Sequence, residues 1–328
     1  MTLSYEIPTI AFSRTSDKSS KPSKSLEVVY LPETNCRLKP QVSLADFTSF
    51  RVGGLAEWYV EPDSLVSLQS SLAWAKAQGL PVYFLGAGSN LLISDRGLSG
   101  LVISTRHLKS TYFDTLTGRV SAGAGVSLPK LAWQAAKRGW RGLEWAVGIP
   151  GTVGGAVVMN AGAHKSCTAD ILVNTQVLTA TGSLEELTPD QLGYGYRTSL
   201  LQRQSKLITH ATLQLQPDST KEEVMAITNQ HRTQRQATQP YHLPSCGSVF
   251  RNPSAYSAAW LIEQSGLKGY RIGDAEVAHR HANFILNCGR AKASDIFRLI
   301  YHVQEQVEAK WQVKLVPEVK ILGDFSKV

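Results

Sequence analysis

Residues 145–163 carry no formal charge, and the stretch is nearly long enough to span a bilayer. It cannot do so as a helix. Pro150, Asn160 and five glycines (Gly148, Gly151, Gly154, Gly155 and Gly162) interrupt it. Such residues weaken a helix and expose backbone groups that lipid cannot satisfy. The segment therefore reads as buried loops and turns, and no membrane partner is expected. The 328 residues allow two or three domains at about 100–200 residues each. With 43% hydrophobic and 18% charged side chains, wholesale disorder is excluded.

Thirty-four Lys and Arg against 26 Asp and Glu leave a net charge of +8. That balance favours anionic partners without choosing among nucleic acid, acidic lipid and phosphorylated small molecules. The basic residues do not gather with interleaved aromatics, so nucleic acid is not expected. Cys36, Cys167, Cys246 and Cys288 are too scattered for a zinc site or a disulfide framework. His279 and His281 lack a completing carboxylate or cysteine, so no metal is expected. The N-terminus lacks a basic n-region followed by an apolar core, so no secretory signal is expected, and a reducing cytoplasm is the simplest compartment.

Residues 13–25 are rich in Ser and Lys and should be disordered. Residues 1–40 as a whole read as a disordered or loosely attached extension. Leu65, Leu68, Leu72 and Ala75 recur at helical spacing, stopped by Gly79 and Pro81. Residues 82–85, 101–103, 119–122 and 206–215 read as strands, and 128–137 and 221–237 as helices. Ile296, Ile300, Val303, Val307 and Trp311 mark one face of a long amphipathic helix. Residues 313–322 read as a closing strand that Pro317 confines to an edge or a bulge. Composition shifts near Pro217, which sets a boundary between a first unit, 41–217, and a smaller α+β unit, 218–328.

Two glycine-dense loops stand out. Gly86-Ala-Gly-Ser-Asn-Leu91 follows a strand but lacks the third glycine and the following helix of a dinucleotide fingerprint. Gly148-Ile-Pro-Gly-Thr-Val-Gly-Gly-Ala156 lacks the ending of a P-loop. Taken alone, each is accounted for by a tight turn; two in one unit suit a pyrophosphate cradle better than either does singly. Arg197, Ser248, Cys246 and Glu318 each have an ordinary structural explanation. Gly-x-Ser-x-Gly is absent around Ser248, which argues against a hydrolase.

Read together and in order, these segments resemble the UDP-N-acetylenolpyruvoylglucosamine reductases, also called UDP-N-acetylmuramate dehydrogenases. The carrying segments include Thr48-Ser-Phe-Arg-Val-Gly-Gly54, both glycine loops, Met159-Asn-Ala-Gly162, Tyr196-Arg197-Thr-Ser199, Gly247-Ser-Val-Phe-Arg-Asn-Pro253, His281-Ala-Asn-Phe-Ile285 and Pro317-Glu318-Val319. The resemblance implies an α+β fold. It would have an FAD-binding module of the vanillyl-alcohol-oxidase (PCMH) type in two subdomains, followed by a smaller substrate-binding domain. It implies non-covalent FAD, NADPH as co-substrate, and reduction of UDP-N-acetylglucosamine enolpyruvate to UDP-N-acetylmuramate by a cytoplasmic monomer. Arg197, Ser248 and Glu318 would be catalytic, with Ser248 the proton donor. Gly86, Ala87, Gly88, Ser89, Asn90, Leu91, Ile149, Pro150, Thr152, Val153, Gly155, Ala156, Asn160 and Gly162 would bind the cofactor, and Arg251 and Asn252 the substrate. His164-Lys165 departs from the Tyr-Gly common in the family after Asn-Ala-Gly. Two other readings follow from the same residues: a flavin oxidase of a sugar or alcohol, and a non-catalytic phosphate-binding module.

Overall fold

The computed structural model describes residues 27–326 and 328, so the Ser- and Lys-rich stretch 13–25 lies outside the described residues. The first strands are β1 (Val29–Tyr30), β2 (Arg37–Ser43), β3 (Leu55–Val60), β4 (Val82–Leu85), β5 (Leu91–Ile93) and β6 (Leu98–Ser104), with helix α1 (Leu65–Ala77) between β3 and β4. All but β5 build a five-stranded sheet in the order β1-β2-β3-β6-β4, antiparallel through β3 and parallel from there on. Residues 29–40 are therefore not a loose extension. They supply β1 and the start of β2, because Leu31 and Leu38 are buried in the core shared with Trp58, Val60 and Leu68.

Next come β7 (Thr111–Asp114), β8 (Arg119–Gly123), α2 (Leu128–Ala136), α3 (Val153–Met159), β9 (Gly162–Ala163), β10 (Ser166–Cys167), β11 (Leu172–Leu178), β12 (Leu184–Leu187), α4 (Pro189–Leu192) and β13 (Leu207–Gln214). The second sheet runs β12-β11-β13-β8-β7 and is antiparallel throughout. Both sheets contribute to one continuous core, which α1, α2 and α3 cover. Within the charge-free stretch, the expectation of loops and turns fails for 153–159, which form α3. The Thr152 hydroxyl accepts from the Gly155 N–H and caps it. Its glycines lie in the first turn, where Gly154 lets the helix approach β8: a Cβ there would stand 2.9 Å from that of Ala124.

The remaining elements are α5 (Lys221–Thr238), α6 (Ala258–Gln264), β14 (Arg271–Ile272), β15 (Ala275–Val277), β16 (Ile285–Asn287), α7 (Ala293–Trp311) and β17 (Lys320–Leu322). α5 packs on α2 and on the 3-10 turn at Glu144–Gly148. The three-stranded sheet β14-β15-β16 lies against α7, and their core also takes in Phe50, Val52 and Leu92 from the first sheet's neighbourhood. The closing strand expected over 313–322 is shorter than its pattern. Only 320–322 pair, parallel to β5, while Pro317 makes an isolated bridge to Phe250. Among the described residues no helix is long and apolar enough to cross a membrane.

The turn after β4 is held by close backbone approach. Gly88 has φ +66°, its carbonyl accepts from the Ser49 N–H at 3.0 Å, and a Cβ there would overlap the Phe47 carbonyl oxygen. Gly88→Ala should therefore destabilise the fold. The left-handed backbone alone costs about 1 kcal/mol or more, which for a domain of this size is about 2–4 °C in Tm. Thermal unfolding followed by circular dichroism checks this; an unchanged Tm would contradict the reading of the turn.

Candidate active site

The two glycine loops meet. Ser89 Oγ donates to the Pro150 carbonyl at 2.9 Å, and a Cβ on Gly86 would stand 2.8 Å from Thr152 Oγ1. Gly151, at φ +145°, faces Ser89 from the other side. Glycine is needed at Gly86 because any side chain would push the loops apart. Among the described residues, the backbone N–H groups of Ala87, Gly88, Ser89 and Asn90 donate to no protein acceptor. Four consecutive unpartnered amides in a small-residue turn are the donor set that an anionic diphosphate takes. The residues thus fit the FAD pyrophosphate, and Leu91 then enters β5 with no helix behind the loop, which separates this cradle from a Rossmann turn.

Arg197 and Glu318 come from distant parts of the chain and meet at 3.1 Å, Nε to Oε1, both largely buried. Arg197 sits at φ +56°, a backbone position that costs a non-glycine residue roughly 1–2 kcal/mol. It is held there on several sides. Its Nη2 donates to the Gly162 carbonyl at 2.5 Å, and its own carbonyl accepts from Gln202 Nε2 at 3.1 Å. Gly195 and Thr198 close the turn around it as a two-residue bridge.

Glu318 is held through its backbone. Its N–H donates to the Val249 carbonyl at 2.7 Å, and its carbonyl accepts from Asn90 Nδ2 at 3.1 Å. Burial raises its carboxyl pKa above the ordinary glutamate value; the guanidinium groups of Arg197 and Arg251 and the Lys320 ammonium offset only part of that cost. The Lys320 ammonium is pushed the other way, its pKa lowered by burial and by Arg251 and Arg203.

Ser248 stands half-buried next to Val249, so the backbone pairing of Val249 with Glu318 sets the serine beside the acid's strand. Gly247, at φ +81°, makes the bend that precedes it. Asn283 braces the same segment. Its Oδ1 accepts from the Phe250 N–H at 2.9 Å and its Nδ2 donates to the Phe250 carbonyl at 2.8 Å, which gives the His281-Ala-Asn segment a structural task. Arg251 Nε is buried without an acceptor among the described residues, a donor left for an anionic group. Asn252 is used differently: its Oδ1 accepts the Ala258 N–H at the start of α6. Burial raises the Cys246 thiol pKa, which suits a core residue and not a nucleophile.

Asn160, in the left-handed region at φ +45°, spends both ends of its amide on the protein. Nδ2 donates to the Gly195 carbonyl at 3.1 Å, and Oδ1 accepts from the Ala169 N–H at 3.0 Å. His164 stacks flat on His231 of α5, ring centroids 3.9 Å apart, so the departure at 164 joins this loop to that helix. Sequence reasoning missed Lys320, whose ammonium lies near Glu318. For Lys320 a signal existed: it lies two residues after Glu318, and alternate residues of an extended segment share a face.

Known proteins resemble the chain along nearly its whole length. Residues 56–188 match the family model described as an FAD binding domain. Residues 239–322 match the model described as the C-terminal domain of UDP-N-acetylenolpyruvoylglucosamine reductase. Proteins of that name from Nostoc sp. and Acaryochloris marina are 61% and 58% identical, over 97% and 93% of this chain and 96% and 99% of theirs. The solved UDP-N-acetylenolpyruvylglucosamine reductase of Thermus caldophilus is 36% identical, covers 88% of this chain and 100% of its own, and superposes with a TM-score of 0.76. With one ordered set of motifs, one fold and such identity across nearly its whole length, the chain belongs to the UDP-N-acetylenolpyruvoylglucosamine reductase family.

Proposed function

We propose that Arg197, Glu318 and Ser248 carry the reduction of the enolpyruvyl group that defines this family. The chain is an FAD-dependent oxidoreductase, a UDP-N-acetylmuramate dehydrogenase that reduces UDP-N-acetylglucosamine enolpyruvate to UDP-N-acetylmuramate with NADPH for peptidoglycan synthesis. The observation that supports the division of labour is the 3.1 Å pairing of Arg197 with Glu318, whose backbone is hydrogen-bonded to the Ser248 segment at Val249.

When bound, FAD would supply hydride transfer between NADPH and the enolpyruvyl methylene carbon. Addition there leaves negative charge on the neighbouring carbon and its carboxylate. Arg197, fixed in orientation by Gly162 and Gln202, presents a planar fork to that carboxylate. Glu318, whose carboxyl pKa burial raises, faces the same developing charge and donates a hydrogen bond to it when protonated. The Ser248 hydroxyl gives its proton to the substrate carbon that carries the electron pair, completing the reduced lactyl group. Arg251, with a buried unpartnered Nε, binds an anionic group of the substrate. The loops 86–91 and 149–156 would hold the FAD diphosphate.

We assign the cofactor module to 41–217, extended back to Val29 by β1 and the start of β2, and the substrate domain to 218–328, with α5 as the helix that leans back onto the module. The enzyme acts as a monomer, since one chain supplies both loops and all three catalytic side chains. It works in the cytoplasm, where four free cysteines stay reduced.

Three outcomes follow. Ser248→Ala keeps NADPH-dependent flavin reduction and slows reduction of the enolpyruvyl sugar by about 10²–10⁴-fold; stopped-flow absorbance separates the halves, and equal loss in both discards the assignment. Arg197→Lys turns over poorly, because one ammonium cannot replace a bidentate fork; near-normal steady-state kcat/KM would sink that role. Because burial raises the Glu318 pKa, its neutral form persists to higher pH than in an ordinary glutamate. The sugar-reducing half therefore slows as pH rises through that raised value, and Glu318→Gln abolishes this limb. A pH profile with the limb intact in the glutamine variant assigns the titration elsewhere.

A further inference from the structure

Asn90 and Asn160 each sit at the end of a segment that the family resemblance gives to the cofactor, yet their side chains point their hydrogen bonds at the protein. Asn90 is the last residue before β5, and two bonds tie it to the strand of the catalytic acid. Its Nδ2 donates to the Glu318 carbonyl at 3.1 Å, and its own carbonyl accepts from the Lys320 N–H at 3.0 Å. Asn160 ends α3 and donates from Nδ2 to the Gly195 carbonyl, in the two-residue bridge that forces Arg197 to φ +56°. The other end of its amide is occupied by the Ala169 N–H, so the whole side chain is committed to the scaffold.

We infer that Asn90 and Asn160 are positioning residues: one holds Glu318 and the other holds Arg197, so that the acid and the guanidinium stay paired at 3.1 Å beside the cofactor loops. The division is physical. Backbone N–H groups suffice for a diphosphate and need no side chain. A strained arginine and a buried acid, by contrast, keep their geometry only if the surrounding hydrogen bonds over-determine it. An asparagine does this for two reasons. It tolerates the left-handed conformation at 160, and it offers donor and acceptor on one short, stiff side chain. Binding of the diphosphate by loop 86–91 is thereby connected to Glu318 through a single residue.

This inference rests on the assignment of Arg197 and Glu318 above. The variants are Asn90→Ala and Asn160→Gly; glycine at 160 keeps the positive φ without strain. For each, four quantities are read: FAD affinity by fluorescence titration of the apoprotein, thermal midpoint, the rates of the two half-reactions, and the pH profile of the sugar-reducing half. We expect FAD affinity within about threefold of the natural enzyme and the sugar-reducing half slowed at least tenfold more than flavin reduction. The limb assigned to Glu318 should move to higher pH in both variants, because loosening either partner of the pair leaves the carboxylate less stabilised by the guanidinium. Should Asn160→Gly not fold, Asn160→Asp, which keeps the acceptor for Ala169 and loses the donor to Gly195, is read by the same half-reaction ratio. FAD affinity falling tenfold or more, with the half-reaction ratio and pH profile unmoved, makes both residues cofactor ligands and overturns the inference. If Arg197→Lys and Glu318→Gln themselves leave turnover intact, the catalytic assignment fails instead.

Discussion

The Arg197–Glu318 pair is the interaction on which the site depends. A buried carboxylate is costly unless paired and hydrogen-bonded, and here the pairing partner is itself in a strained backbone position. Neither half is stable by its own local conformation. The arginine turn is fastened by Gly162, Gln202 and the Gly195–Thr198 bridge, and the acid's strand is fastened by Val249 on one side and Asn90 on the other. The balance leaves Glu318 with a raised pKa despite three cations near it, because burial is the larger effect. A raised pKa brings the proton-bearing form within easier reach when new negative charge develops beside it.

This fastening also explains the architecture. The second sheet and α3 bring the arginine turn to the glycine loops, and the parallel pairing of β17 with β5 returns the end of the chain to the first loop. Asp95 strengthens the return: its carboxylate accepts the Ala293 and Ser294 N–H groups at the start of α7. Asn287 Nδ2 donates to the Phe50 carbonyl across the same junction. The C-terminal unit is therefore seated on the cofactor module by hydrogen bonds that converge near the loops, and the C-terminal core completes itself with Phe50, Val52 and Leu92.

Much of the fold was legible in the sequence because periodicity records burial. α1, α2, α5, α7 and the strands at 82–85, 119–123 and 207–214 stand where their patterns put them. Three readings missed for definable reasons. Helix 153–159 was hidden by its glycines, which serve close packing and an N-terminal turn. The strands from Val29 to Ser43 include Pro40 and several polar residues, and only pairing to Leu55–Val60 makes them a sheet. The closing strand shrank because Pro317 and Glu318 are spent on the site. Site chemistry was legible only through the ordered motifs, since Arg197 and Glu318 have no local signature. The task of the two asparagines was not legible at all: their partners lie 228 and 35 residues away, and only the folded backbone brings them together.

The most direct test is a crystal structure of the enzyme with FAD and UDP-N-acetylglucosamine enolpyruvate bound, with Ser248→Ala used to slow turnover. The account predicts the diphosphate of FAD against the amides of residues 87–90. It also predicts the substrate carboxylate on Arg197 with Glu318 beside it, and the position of the missing serine hydroxyl facing the carbon that receives the proton. A substrate carboxylate bound away from Arg197, or residue 248 facing away from the enolpyruvyl group, would contradict it.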